Sequence, residues 1–289
     1  MTSNKQIILF TLAATLILVI QHTSAFNLAD YPNASNTGVP FGTTLKTINA
    51  STIKKAGTII QDSLIIGCLT IKANNVTVRR SKIIAQGRCG INICPDGECG
   101  FLKDILLEDI EVDGSQVSID GLLVGSQGYT CRRCNIHHGR TGLGLQWNVT
   151  IVDSYIHDTE RKDVNNTAVH ITAASGHGGG NLNITHNTMI CDAPSGCSSA
   201  LSLYGNFENL TNIIVQNNVM SARASYCTYG GSLGGKPYKA TNTSYIDNWF
   251  LQTYFPKCGS SGAVAGFEIA RGNVWANNRY EDGTIVNIV

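Results

Sequence analysis

An eight-residue phrase returns four times in the second half of the chain and narrows the possible folds more than any other feature. It occupies residues 182–189, 213–220, 243–250 and 273–280, and each copy alternates apolar and polar residues up to an asparagine at a bend. Those asparagines, Asn187, Asn218, Asn248 and Asn278, are 31, 30 and 30 residues apart. A fixed period of this size is the signature of stacked structural repeats. Looser copies at 76–81, 105–110, 129–134 and 149–154 put Ser81, Ile110, Cys134 and Ser154 at the equivalent bend. Each phrase is preceded by a second short apolar run, as in Gly142-Leu143-Gly144-Leu145 and Ala200-Leu201-Ser202-Leu203, with a looser version at Tyr226-Cys227-Thr228-Tyr229.

Several short strands per repeat, with no 3.6-residue periodicity after residue 25, exclude helical repeats. The leucine-rich frame is absent, and propeller blades need about 40 residues or more. What remains is an all-β, single-stranded parallel β-helix of about eight coils, a solenoid in which each coil stacks on the last. The bend asparagines then have a structural reason. Asparagine tolerates the left-handed backbone of a sharp corner, and amides stacked about 4.8 Å apart can hydrogen-bond along the stack.

The first 25 residues are a separate object. Lys5 precedes an uncharged apolar run from Ile7 to Ile20, and Thr23-Ser24-Ala25 supplies a small-residue cleavage site. This is the pattern of a secretory signal peptide, and the run is shorter than the roughly 20 residues that span a bilayer. Cleavage after Ala25 removes 25 of the 289 residues and leaves 26–289 as one β-helix domain of 264. It also removes one of the 21 basic residues, leaving 20 against 20 acidic ones. A neutral chain with 14% charged residues carries no electrostatic footprint for nucleic acid or anionic membrane, and argues against strong generic attraction to polyanions.

All ten cysteines, Cys68, Cys89, Cys94, Cys99, Cys131, Cys134, Cys191, Cys197, Cys227 and Cys258, follow the leader. An even count behind a signal peptide argues for disulfides, with Cys191 and Cys197 the best single pairing because they close one loop. Cys131-Arg132-Arg133-Cys134 has the spacing of a redox or metal motif, but no second pair completes it. No metal and no cofactor is expected. Sequons begin at Asn33, Asn49, Asn75, Asn148, Asn165, Asn183, Asn209 and Asn242, all glycosylation candidates. The same Asn-apolar-Thr pattern is also how a strand of this repeat starts, so both readings stay open.

The stretch from Tyr31 to Pro40, Tyr-Pro-Asn-Ala-Ser-Asn-Thr-Gly-Val-Pro, resembles the opening of secreted right-handed parallel β-helix proteins of the pectate-lyase-like superfamily, many of them actinobacterial. The resemblance continues through Ala73 to Ser81 and Val152 to Asp158, and closes with Gly272-Asn273-Val274-Trp275. It implies a right-handed solenoid, secreted to the exterior, with polysaccharide laid along one sheet. Relatives carry His-Asn-Asp-Xaa-apolar-Gln after the equivalent of His157-Asp158. Here Asn165, Thr167 and His170 stand in place of the His, Asp and Gln.

Tracing the outward residues of the second strand gives a polar face poor in charge: Thr141, Gln146, Thr167, His170, Ser202, Tyr204, Thr228 and Glu268 among them. Gln146, Thr167, Ser202, Tyr204 and Glu268 are the substrate-binding candidates. His170 and Glu268 are three coils apart, about 14 Å, beyond the spacing of a two-carboxylate hydrolase. The candidate catalytic groups are His170 with His157, Asp158 and Arg161, since the loop 155–163 offers a base, carboxylates and a cation. His137, His138 and Arg140 on the preceding turn form a weaker cluster. The expected partner is an extracellular or cell-wall glycan, bound without clear catalytic machinery; the alternative is a polysaccharide lyase or glycoside hydrolase.

Overall fold

The computed structural model describes residues 26–94, 102–118, 121–161 and 170–288. The chain winds as a right-handed parallel β-helix whose strands form three sheets of ten, nine and nine strands among the described residues. One full coil runs Thr188–Cys191, Cys197–Leu203 and Leu210–Gln216, and the next begins at Val219–Ala222. These strands belong in turn to a short-strand sheet, a groove sheet and a long-strand sheet. Every strand pairs in parallel with its counterpart one coil away. The first sheet has more strands than the eight coils expected. Lys46–Asn49 and Ser63–Ile66 form two further turns that lack a clear copy of the phrase.

The alternation in the phrase is inside-outside alternation on the long-strand sheet. Register stacks Val78, Leu107, Cys131, Ile151, Ile184, Val215 and Tyr245 into one inward column. Every member is fully buried. At roughly 1.5 to 3 kcal/mol for each large apolar side chain, such columns supply the main drive for stacking. Interior phenols are satisfied: the Tyr129 hydroxyl donates to Gly144 O at 2.9 Å.

The corner between the long-strand and short-strand sheets holds the asparagine ladder. Asn187, Asn218, Asn248 and Asn278 are fully buried. Asn187 Nδ2 donates to Asn218 Oδ1 at 3.0 Å, Asn218 Nδ2 to Asn248 Oδ1 at 3.0 Å and Asn248 Nδ2 to Asn278 Oδ1 at 2.9 Å. The ladder continues in the first half through shorter side chains, with Ser154 Oγ accepting from Cys134 N at 3.0 Å and Ser81 Oγ from Ser63 N at 3.1 Å. One detail of the expectation is corrected. The left-handed residue is the one before the ladder position, His186, Asn217, Asp247 and Asn277, with φ from 52° to 57°. The reversal falls there so that the next side chain points inward, and the exposed position is left for polar pairs such as Arg80–Asp62 and Arg133–Asp109.

A second asparagine column, unforeseen from the phrase, lies on the exposed side of the long-strand sheet. Asn148, Asn181, Asn212 and Asn242 all have positive φ. Their amides link at 3.0, 3.2 and 3.4 Å. Two of the sequon asparagines, Asn148 and Asn242, therefore serve the backbone of this column. Asn33 closes a turn in the lead-in, its Nδ2 donating to Tyr31 O and its Oδ1 accepting from Ser35 N. Asn49, Asn75, Asn183 and Asn209 are exposed, while Asn165 lies outside the described residues.

The lead-in runs along the outside of the coils. Phe26 packs at a tilt against Tyr31 and Trp249, the Tyr31 hydroxyl donates to Asn217 Oδ1 at 2.8 Å, and Gly38 N donates to Arg133 O at 2.8 Å. Disulfides join Cys68–Cys89, Cys131–Cys134, Cys191–Cys197 and Cys227–Cys258, and Cys94 is also oxidised. Cys131-Arg132-Arg133-Cys134 thus closes on itself, and Cys191–Cys197 closes its loop as expected. Cys99 and residues 1–25 lie outside the described residues. Among the described residues no helix is long and apolar enough to cross a membrane.

Candidate functional site

The groove sheet carries a cleft of about 590 Å³ on its outer surface. Its walls come from successive coils. The strand Thr141–Gly144 pairs with Ile171–Gly176, which pairs with Cys197–Leu203 and then with Tyr226–Gly230. Small residues, Gly144 and Ser175 in one column, keep the floor low, while the residues at the strand ends rise as walls. A Cβ at Gly144 would meet Leu122 Cδ2 at 2.6 Å, so a side chain there would have to displace the tip of Leu122.

One wall is aromatic. Tyr204 and Tyr229 have ring centroids 5.0 Å apart, and His177 lies 5.6 Å from Tyr204 and 6.0 Å from Phe207. Phe207 is largely exposed, at 76%. Lys236 Nζ stands 5.6 Å over the Tyr204 ring. Burial pushes the Tyr204 phenol up to about 12, so it serves the cleft as a neutral donor and acceptor.

The polar members include His170, His177, Arg140, Lys236, Gln146, Asn206 and Thr172. The amide nitrogen of Asn206 donates to His177 Nδ1 at 2.6 Å and Nε2 lies 3.3 Å from Ser175 Oγ, the pattern of a neutral imidazole with its proton on Nε2. Desolvation, reinforced by Lys236, Arg140 and His170, lowers the His177 pKa in agreement. His170 Nδ1 lies 2.8 Å from Ser198 Oγ. Arg140 Nε and Thr172 Oγ1 are buried without a hydrogen-bond partner, an uncommon state for lining atoms. No carboxylate is among the described lining residues.

The candidates from sequence divide between two faces. His170, Gln146 and Tyr204 line the cleft. Ser202 belongs to the groove sheet but is fully buried and bonded to Ser199 Oγ. Glu268 lies after the last groove-sheet strand, Gly262–Ala265, where it pairs with Lys239 at 3.1 Å and Arg271 at 4.0 Å. Thr167 is outside the described residues. His157 ends a strand of the short-strand sheet, with Nε2 2.8 Å from Asn135 Oδ1 and Nδ1 2.9 Å from Asp158 Oδ2. Its ring is stacked on Tyr155 at 3.8 Å. Burial lowers its pKa against the opposing pull of Asp158. Arg161 sits at the corner leading out of that sheet, so His157, Asp158 and Arg161 belong to a different part of the coil from the cleft that His170 lines.

Reading from sequence passed over His177, Asn206, Phe207, Tyr229 and Lys236. The signal for His177 was present, because it follows Ser175 by two just as Tyr204 follows Ser202, and Ser175 pairs with Ser202. At the next strand the parity was misread. Thr228 pairs with Leu201 and turns inward to lie 3.4 Å from the Tyr245 hydroxyl, and this aims Tyr229 outward.

The fold and the cleft together define a parallel β-helix with an aromatic-walled groove on one sheet. A scan against protein-family models finds no match to the chain, and searches of curated proteins and of solved structures find none either.

Proposed function

We propose that this is a secreted β-helix protein of the pectate-lyase-like kind that binds extracellular or cell-wall polysaccharide in the groove-sheet cleft. The observation that carries the reading is the combination of an aromatic wall, Tyr204, Tyr229 and Phe207, with a floor of hydrogen-bonding groups in one open cleft. Aromatic faces suit the apolar faces of sugar rings, and a few polar groups fix hydroxyl orientation. The disulfides and the leader-like first 25 residues support an exterior location. Net neutrality argued against acidic chains, yet Arg140, Lys236, His170 and His177 gather here without a described carboxylate, which favours a saccharide carrying carboxylate or sulfate.

The absence of a described acid pair favours binding over hydrolysis. His170, which lines the cleft with Arg140 and Lys236 and has its Nδ1 against Ser198 Oγ, supports the alternative of an elimination, in which its imidazole takes a proton at Nε2 while the cations neutralise a uronate. A panel of neutral and uronate-containing polysaccharides, followed by calorimetry and by release of unsaturated or reducing ends, separates these. Binding lost in Tyr204→Ala and Lys236→Ala without product is the expected result. Product whose release is abolished in His170→Ala would establish the enzyme instead, and no binding to any member of the panel would refute both.

A further inference from the structure

On the outer face of the short-strand sheet, before the corner that leads to the cleft, three metal-ligating side chains converge. Asp113 ends the strand Glu111–Asp113 and pairs in register with His137, which ends Asn135–His137 on the next coil. His138 follows in the left-handed conformation, φ 60°, and its ring meets that of His137 edge-on at 4.8 Å. The two Nδ1 atoms are 2.6 Å apart, and Asp113 Oδ1 is 3.9 Å from His137 Nδ1. One ligand atom from each of the three residues lies within 4.8 Å of the others.

Glu111 selects which nitrogen of His137 faces this point. Its Oε1 lies 3.1 Å from His137 Nε2 and accepts from Lys82 Nζ at 2.7 Å. A carboxylate only accepts, so neutral His137 carries its proton on Nε2 and turns the Nδ1 lone pair toward His138 and Asp113. The 2.6 Å contact is an N–H···N hydrogen bond when His138 carries its proton on Nδ1, and a metal ion that displaces this proton would meet both Nδ1 lone pairs with the Asp113 carboxylate beside them. The Lys82 ammonium, 3.6 Å from Asp113 Oδ2, engages the other carboxylate oxygen. Ser115 N donates to Asp113 Oδ1 at 2.9 Å and fixes the carboxylate's direction.

We propose that Asp113, His137 and His138 bind a divalent first-row metal ion of the zinc type through the two Nδ1 atoms and the Asp113 carboxylate. Two imidazoles and one carboxylate are a familiar three-residue zinc set, with water in the fourth position. Glu111 is then the orienting carboxylate behind a ligating histidine. Tetrahedral zinc at about 2.0–2.1 Å from each nitrogen needs the Nδ1 atoms about 3.3 Å apart. His138, half-buried on a corner, can supply that opening by a small ring movement. Because the ligands come from successive coils, the ion would also pin one coil to the next.

Calorimetric titration of the tag-free, disulfide-intact protein with zinc chloride, in a buffer that does not chelate, tests the site. One saturable equivalent is expected, together with a melting temperature that rises with zinc concentration. Asp113→Asn and His138→Ala should abolish that equivalent, Glu111→Gln should weaken it by about 10- to 100-fold, and His186→Ala should leave it unchanged. X-ray absorption at the zinc edge of the loaded wild type guards against a variant that fails to fold, and should report two imidazoles with oxygen ligands. Absence of saturable uptake up to about 1 mM zinc, wild-type affinity in His138→Ala, or a shell without imidazole would each overturn the proposal.

Discussion

Replacing Asn218 by alanine removes the centre of the buried ladder, and the cost follows from its four side-chain bonds. Oδ1 accepts from Asn187 N at 2.9 Å and from Asn187 Nδ2 at 3.0 Å, while Nδ2 donates to Ile184 O at 2.8 Å and to Asn248 Oδ1 at 3.0 Å. Two of the partners keep company after the change. Asn187 Nδ2 still reaches Ile151 O and Thr185 O, and Asn248 Oδ1 still accepts from Asn218 N. Asn187 N–H is left without a partner in an interior without water, whereas the Ile184 carbonyl lies in a strand paired on both sides and loses only its second donor. At about 1 to 3 kcal/mol for the orphaned N–H and about 1 kcal/mol for the lost bond to Ile184 O, Asn218→Ala should cost about 2 to 4 kcal/mol. For a chain of this size that lowers the melting temperature by roughly 4 to 16 °C.

The comparison is Asn212→Gly in the exposed column. Glycine tolerates its φ of 55°, and water replaces its long amide contacts, so the change should stay within about 0.5 kcal/mol. Urea denaturation with intact disulfides, followed by circular dichroism, reads both variants. If Asn218→Ala unfolded at the same midpoint as Asn212→Gly, the claim that burial of the ladder makes its amides matter would be wrong.

Opening the Cys68–Cys89 disulfide, which spans 21 residues, in a Cys68→Ala/Cys89→Ala variant should cost about 3 kcal/mol by loop entropy; urea midpoints unchanged from wild type would contradict this. His177 should make stability fall in mild acid. Its folded pKa lies below the unfolded value of about 6.5, so the unfolded chain binds the proton more readily. The contribution is complete above about 6.5 and declines as pH falls toward the folded pKa; His177→Gln should remove this part of the decline, and identical pH profiles for the two proteins would refute the assignment. Protonation of His177 in the same window adds positive charge to the cleft, so a uronate chain should bind more tightly at the lower pH, and the same affinity at both pH values would count against the anionic reading.

The period of the phrase, taken with its alternation, was enough to specify a parallel β-helix. Any chain that repeats one strand-corner-strand unit can bury its apolar stripe only against the neighbouring copies. The buried identity of Asn187, Asn218, Asn248 and Asn278 followed from the same logic. The site was less legible, because side-chain direction on the groove sheet depends on an irregular register. The pairing shifts between Ile171 and Thr172, so counting by twos from one coil gives the wrong face on another. Gln146, His170 and Tyr204 lie on the cleft as the sequence indicates, whereas on the following strand, which pairs without a shift, Tyr229 and not Thr228 faces outward.

Sequence alone determined that this chain must stack coils and that its bend asparagines serve the corners, since those properties repeat and survive small errors of register. The tertiary structure decided which coil-to-coil neighbours meet. His177 came beside Tyr204 and Asn206, and His137 and His138 came beside Asp113 from the previous coil. Such contacts join residues about 24 to 29 positions apart through the stacking distance of parallel strands, about 4.8 Å. A one-residue slip in any corner would replace them with others, and only the packed coil fixes where each corner falls.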